Sequence, residues 1–383
     1  MNGIKLVKNT IENFEIDELI TWLSSYPQLT QGPKVKEFES KWSDFLGTKF
    51  STFVNSGSSA LLLAYYAIYL STGRKNVIVP ALSWATDLAP VIQFGLTPIL
   101  CDCNLDDLSL DLNHLELLLK SNPDCVVCLV SVLGLVPQMD KILELKEKYN
   151  FILLEDVCES FGSEFNDKKL GTFGDISVFS LFYGHHLSTI EGGMICTNNE
   201  ELNDVLKMIR AHGWDRELAP DKQQALRKKY QIDDFSASYT FYYPGFNVRG
   251  TDLQATIGIG QLNKATDIIS KRNKNYNFLK NSLKLDWKPQ DSSSKFVSNF
   301  CYPIISEHRD DIIKSLIESK IECRPLICGS MGLQPFYKNQ FGELNLPNVS
   351  LIDKQGMYIP NNPDLSQGEL GFMVEKINLA TGV

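Results

Sequence analysis

Between residues 51 and 155 short apolar runs alternate with helix-patterned stretches, and this alternation restricts the chain to few architectures. The runs 51–54, 77–80, 97–100, 124–131 and 151–155 are too short for helices and almost wholly apolar, as strands covered on both faces must be. Between them, residues 55–68, a stretch from about Trp84, 111–120 and 138–149 carry helical spacing. Strand, helix, strand with short connections yields a mostly parallel sheet with helices on both faces, an α/β fold. Helices are also expected around 16–25, 33–46 and 198–211, with a polar stretch around 217–237 and one long helix over about 252–280. The last hundred residues mix strands, near 299–305 and 321–324, with helices. The 383 residues exceed the roughly 250–300 that a single core supports. A large domain over 1–250, with an N-terminal helical segment, and a smaller α+β domain over 251–383 are therefore expected.

Composition narrows the function classes. The net charge of −9, with no basic cluster longer than Arg227-Lys228-Lys229, argues against nucleic acid or an anionic membrane as partner. No apolar run reaches the ~18–20 residues of a membrane span, and the N-terminus lacks the apolar core of a signal peptide. Nine cysteines, an odd number scattered over apolar runs, suit a reducing compartment. Cys125 and Cys128 form a C-x-x-C inside a strand-like run without a second pair, so no metal site is expected. The expectation is a soluble cytoplasmic protein.

Four places carry chemistry. Asn55-Ser56-Gly57-Ser58-Ser59 opens an apolar helix, where free N–H groups and the helix dipole suit a phosphate, although a plain serine cap reads equally well. Trp84 follows the strand ending at Pro80 and is placed to cover a planar ligand or to pack in the core. Asp156 and Glu159 abut the apolar strand 151–155, and acids there need a cationic partner such as a protonated ring nitrogen. The stretch 175–194 reads as a strand through Phe182, a turn with His185 and His186, then Gly192-Gly193 leading to a second strand. Strand ends of this kind are where open α/β sheets bind ligands. Adjacent side chains of an extended segment point to opposite sides, so one histidine is expected to serve the site and the other, His186, the structure. Ser180, five residues before His185, is a further phosphate donor.

The order of these motifs resembles the sugar aminotransferase (DegT/DnrJ/EryC1/StrS) family of fold-type I pyridoxal-phosphate enzymes. The resemblance rests on GSS (57–59), LLEDVCESFG (153–162), GTFGDISVFS (171–180) and HHLSTIEGG (185–193), and continues through RAHGWDR (210–216), YPGFNVR (243–249), IGIGQL (257–262) and IECRP (321–325). It implies an aspartate-aminotransferase-like fold. Ordinary members carry a Schiff-base lysine where this chain has His185. That replacement is similar to the lysine-lacking nucleotide-sugar 3-dehydratase branch of the family.

Several expectations follow from the resemblance. Pyridoxal or pyridoxamine phosphate would be held without a covalent bond, by Gly57, Ser58 and Ser180 at the phosphate, Trp84 over the ring, Asp156 at the ring nitrogen and Glu159 near the ring oxygen or the substrate. His185, whose ordinary pKa is near 6.5, keeps the base and deletes the amine nucleophile. The implied substrate is a GDP-linked 4-keto-6-deoxy sugar, hexose or heptose, that loses its 3-hydroxyl, with L-glutamate regenerating the amine form, in surface polysaccharide biosynthesis. A homodimer with shared sites is implied, Asn247 (phosphate) and Arg249 coming from the second copy and His212 and Arg216 contacting substrate or glutamate. A related lysine-lacking branch uses an iron–sulfur cluster, but residues 217–231 hold no cysteine, which speaks against it. A nucleotide-sugar 4-aminotransferase and a non-catalytic sugar-binding relative stay open.

Overall fold

The computed structural model describes residues 3–382. Seven five-residue strands form the main sheet: β1 (Phe50–Val54), β2 (Asn76–Pro80), β3 (Thr97–Cys101), β4 (Val126–Val130), β5 (Ile152–Asp156), β6 (Ile176–Ser180) and β7 (Gly193–Thr197). Their order across the sheet is β1-β7-β6-β5-β4-β2-β3. Every neighbouring pair from β6 to β3 is parallel, and β7 runs antiparallel to both β6 and β1. Burial on both faces explains why β4 is apolar throughout, Val126 to Val130 all being buried. The pairing brings the C-terminal ends of β1, β5 and β6, and the start of β7, to one edge of the sheet, with Val54 and Ser180 each opposite Gly193.

The helix Pro33–Leu46 closes one face by burying Val35, Phe38, Trp42 and Leu46, a spacing that keeps one side apolar. Trp42 meets Phe161 at 5.1 Å and Phe179 at 5.3 Å, while Phe38 meets Phe53 at 5.1 Å edge-on. Helix Asp252–Asn263 crosses Pro33–Leu46 closely because Gly258 has no side chain, and a Cβ there would lie 2.6 Å from the Phe38 ring. A second, antiparallel sheet holds β8 (Cys301–Ile305), β9 (Arg324–Pro325) and β10 (Gly356–Pro360) in the order β8-β10-β9. The first described residues reach this part of the chain, with Ile4 bridging Ile321 and Lys5 paired to Glu322 at 2.9 Å. Among the described residues no helix is long and apolar enough to cross a membrane.

Several local expectations change. The long helix over 252–280 is two helices, Asp252–Asn263 and Ala265–Ser282, broken where Lys264 leaves helical geometry (φ −105°, ψ 8°). The polar stretch around 217–237 contains the helix Pro220–Tyr230, which buries no residue and so has no apolar stripe to read. The strand expected to run through Phe182 stops at Ser180, because the chain turns back there and Leu181 donates to the Gly192 carbonyl at 2.8 Å. The strand expected near 321–324 is only the two residues Arg324–Pro325.

Candidate active site

A cavity of about 700 Å³ opens at the sheet edge where β1, β5 and β6 end, and Gly57, Ser58, Trp84, Asp156, Glu159, Ser180 and His185 all line it. The tail of the second sheet closes the far side with Phe300, Arg324 and Tyr358. Open α/β topology favours a ligand site at this edge.

The helix Gly57–Thr72 begins at this edge. Ser56 caps it, its hydroxyl accepting from the Ser59 N–H at 3.0 Å. The N–H groups of Gly57 and Ser58, first in the helix, have no intrahelical acceptor and face the positive end of the dipole. Gly57 is required here, because a Cβ would sit 2.7 Å from the Ser180 Cβ. The serine cap leaves the helix end open: Ser56 caps, and Gly57, Ser58 and Ser180 line the cavity beside it.

Asp156, at the end of β5, is buried, and its Oδ1 accepts from the Cys158 N–H at 2.8 Å. Glu159 follows one turn later and accepts from the Leu133 N–H at 2.9 Å. Burial, only partly offset by that bond, pushes the Glu159 carboxyl up to about 7. Trp84 precedes the helix Ala85–Gln93, lines the cavity and is 56% exposed, so its indole is not packed in the core.

The two histidines part company, although they lie in a bend five and six residues beyond β6 and not in the extended segment for which alternation was expected. Nδ1 of His185 lies 2.6 Å from the Cys158 carbonyl oxygen, and its ring stacks on Phe300 at 5.0 Å with an interplanar angle of 19°. A carbonyl only accepts, so Nδ1 carries the hydrogen and Nε2 keeps its lone pair. Burial pushes the imidazole down to about 4, leaving it neutral near pH 7. His186 is buried on the other side, Nε2 at 3.1 Å from the Ser298 carbonyl, and burial likewise holds it well below the ordinary histidine range.

His212, Arg216, Asn247 and Arg249 do not line this cavity; they gather around Trp214. His212, at φ 62° after the helix Glu200–Arg210, places its ring 4.9 Å from the indole, and the guanidinium carbons of Arg216 and Arg249 lie 3.7 and 5.9 Å from it. Arg249 Nε donates to Asn247 Oδ1 at 3.1 Å. This segment runs along the outer edge of β1, where Asn55 donates to the Val248 carbonyl at 2.9 Å.

Two site residues escaped the sequence reading. Asp87 is fully buried in the cavity wall beside Asp156, and its one signal was its place three residues after Trp84, whose N–H it accepts at 3.0 Å as a helix cap. Phe300 gave none, since its contact with His185 arises from the packing of a residue far along the chain, just before β8.

These residues fit a phosphorylated pyridine cofactor on physical grounds. A buried carboxylate with a free oxygen suits a protonated ring nitrogen, an open helix end walled by a glycine suits a phosphate, and an exposed indole suits a planar ring. Similarity to known proteins agrees. Residues 9–378 match the model of the DegT/DnrJ/EryC1/StrS aminotransferase family. GDP-4-keto-6-deoxy-D-mannose 3-dehydratase of Yersinia pseudotuberculosis is 33% identical over 392 aligned positions, covering 96% of each chain. The E. coli GDP-4-keto-6-deoxy-D-mannose-3-dehydratase with bound hydrated PLP superposes with a TM-score of 0.89 at 31% identity, over 98% of this chain and all of that one. GDP-4-keto-6-deoxymannose-3-dehydratase with a trapped PLP-glutamate geminal diamine gives 0.88 at 30% identity over the same shares. With the fold, the cavity and both kinds of similarity in accord, the chain belongs to the DegT/DnrJ/EryC1/StrS aminotransferase family.

Proposed function

We propose that the chain is a pyridoxal-phosphate-dependent 3-dehydratase of a GDP-linked 4-keto-6-deoxy sugar. The observation that carries this reading is His185: it presents a neutral imidazole with a free Nε2 to the cavity at the position where the family's transaminases hold a lysine. An imidazole moves protons but cannot form the covalent bond of a lysine amine, so the base is kept and the nucleophile is gone. The bound cofactor, in its pyridoxamine form, supplies an amine for the 4-keto carbon and a ring that withdraws electrons from it.

The chain's own groups do the rest. Nε2 of His185 takes a proton from the carbon that faces it and returns it to the departing 3-hydroxyl, which leaves as water. Nδ1–H stays bonded to the Cys158 carbonyl, so the ring neither tilts nor changes tautomer. Asp156 pairs with the ring nitrogen. Gly57 and Ser58 N–H and the Ser180 hydroxyl hold the phosphate, Trp84 covers the ring, and Glu159 sits beside ring oxygen or substrate. Summed over the cycle, sugar and L-glutamate give the 4-keto-3,6-dideoxy sugar, 2-oxoglutarate and ammonia, the glutamate supplying the two electrons that reduce carbon 3.

The chain acts as a homodimer, Asn247 and Arg249 of each copy completing the other's site, with His212 and Arg216 beside substrate or glutamate. The two lobes divide at residues 250 and 251, the enzyme is cytoplasmic, and its product enters surface polysaccharide. The test is incubation with pyridoxal phosphate, L-glutamate and GDP-4-keto-6-deoxy-mannose, products read by mass. Loss of one oxygen from the sugar supports the reading. A 4-amino sugar indicates a transaminase, and no change with either this hexose or its heptose analogue indicates a non-catalytic protein.

A further inference from the structure

Arg272 is a charge in an unusual place. It lies on the helix Ala265–Ser282, is 2% exposed, and among the described residues no carboxylate bonds to it. All its hydrogen bonds leave from one nitrogen. Nη1 donates to the carbonyl oxygens of Phe300 and Asn361, each at 2.7 Å, and at 3.4 Å to that of Asn299. Nε is buried without a partner. A cation held out of water by carbonyls alone is costly, and an apolar side chain of similar length would fill the space at lower cost. Filling does not account for it.

Its partners lead to the base. Phe300, bonded through its carbonyl, is the residue whose ring stacks on His185 at 5.0 Å. The guanidinium carbon lies 5.8 Å from the centre of that same ring, within cation–π range. The Phe300 N–H donates to the Leu133 carbonyl at 2.9 Å, and Leu133 in turn donates its own N–H to Glu159. Both backbone polar groups of Phe300 are thus taken, one by the segment that meets Glu159 and the other by Arg272. Arg272 itself does not line the cavity.

We infer that Arg272 is a positioning residue for His185: it clamps Phe300 against the imidazole and, as an uncompensated cation beside that ring, opposes a positive charge on the base. The inference rests on His185 being the base of the reading above. Burial opposes protonation of His185 most; the Cys158 carbonyl and Asp156 favour it, and Arg272 opposes it again. The other titratable groups around the imidazole are Asp87, Glu159, Glu191, Arg324, the thiols of Cys158, Cys301 and Cys328, the Tyr358 phenol and His186. Substitution at Arg272 leaves all of these in place.

The test reads His185 directly, in the full chain without cofactor, from the nitrogen-15 resonances of its ring. The chain has five histidines, and His185→Asn identifies the signal. Wild type should keep a bare Nε2 down to about pH 4. Arg272→Met removes the charge and the donors, and the imidazole should then take up its proton roughly one pH unit higher. Arg272→Lys supplies an ammonium with three N–H groups for the three carbonyls, and should return the titration to that of wild type. In the dehydration assay kcat should fall by about ten- to a hundredfold in Arg272→Met and recover in Arg272→Lys, the Kd for pyridoxal phosphate staying as in wild type. If Arg272→Met does not fold, Phe300→Leu replaces it: it leaves Arg272 its carbonyl, removes the flat ring, and should lower kcat likewise. A folded Arg272→Met with a lowered melting temperature but wild-type titration and kcat would mean a tie between segments alone, and would overturn the inference. Lysine as damaging as methionine, or Phe300→Leu with undiminished kcat, would do the same. Titrations as expected in a wild type inert toward GDP-4-keto-6-deoxy-mannose would support the clamp and overturn the dehydratase reading, which separates the two failures.

Discussion

The Nδ1 atom of His185 lies 2.6 Å from the carbonyl oxygen of Cys158, and this single contact decides which ring nitrogen is free to act as a base. The acceptor belongs to the loop that follows Asp156, so one short segment holds both His185 and Asp156 in the cavity wall. Phe300, just before β8, stacks on the same imidazole. Together the carbonyl and the Phe300 ring fix the tautomer and orientation of the imidazole.

Replacing His185 by Asn leaves an amide that can still meet the Cys158 carbonyl but cannot take a proton. Dehydration should fall by about 10²–10⁴-fold, the usual worth of a general base, while the Kd for pyridoxal phosphate changes by no more than a few fold. Turnover by mass and absorbance titration check the two halves. Unchanged turnover would remove His185 from the mechanism.

The depressed pKa of His185 also predicts a pH dependence of stability. The unfolded chain takes up a proton near 6.5, whereas the folded ring resists it until about 4. Stability of the apoprotein should therefore fall as pH drops from about 6.5 toward 4, and the fall should be shallower in His185→Asn. Denaturant midpoints across that range measure it; parallel curves would contradict the burial assigned to the ring.

Glu159 has the opposite sign. Its folded pKa is about 7 against an ordinary 4.5, so the fold holds a proton that the unfolded chain releases. That contribution is complete below 4.5 and lost as pH rises to about 7. Glu159→Gln apoprotein should gain on wild type over this window, by roughly 1–3 kcal/mol. A constant offset between the two proteins would be the contrary result.

Gly57→Ala tests the phosphate cradle. Its Cβ would stand 2.7 Å from the Ser180 Cβ, and neither atom can swing aside because each is bonded directly to its Cα. The expected cost is about 1–3 kcal/mol of stability, from thermal unfolding, with weakened cofactor binding as the helix end is pushed from Ser180. Alanine accepted without loss in either measurement would show that the two elements do not approach this closely.

The main sheet was legible because parallel strands must be apolar on both faces, and β4, with Val126 to Val130 all buried, could read as little else. Cavity residues at or soon after strand ends, Asp156 and Ser180 closing β5 and β6 and His185 five residues beyond, were legible for the same reason: topology delivers strand ends to one edge. Contacts made by packing alone were not. Phe300 comes to His185 from the residue just before β8, and Asp87 joins the cavity wall with only its cap spacing as a clue. The helix Pro220–Tyr230 buries nothing and leaves no periodicity to find, and the break at Lys264 has neither glycine nor proline to mark it. His212 and Arg216 shared a motif with the site but face Trp214, outside the cavity of their own chain.

A single-turnover experiment tests most directly whether the exchange of a lysine for His185 converts amino transfer into dehydration. The protein is loaded with pyridoxamine phosphate and given one equivalent of GDP-4-keto-6-deoxy-mannose without glutamate, and ammonia and sugar products are quantified together. One ammonia released for each sugar that loses its 3-hydroxyl, with no amino sugar formed, is the predicted result. An amino sugar accumulating without ammonia would contradict it.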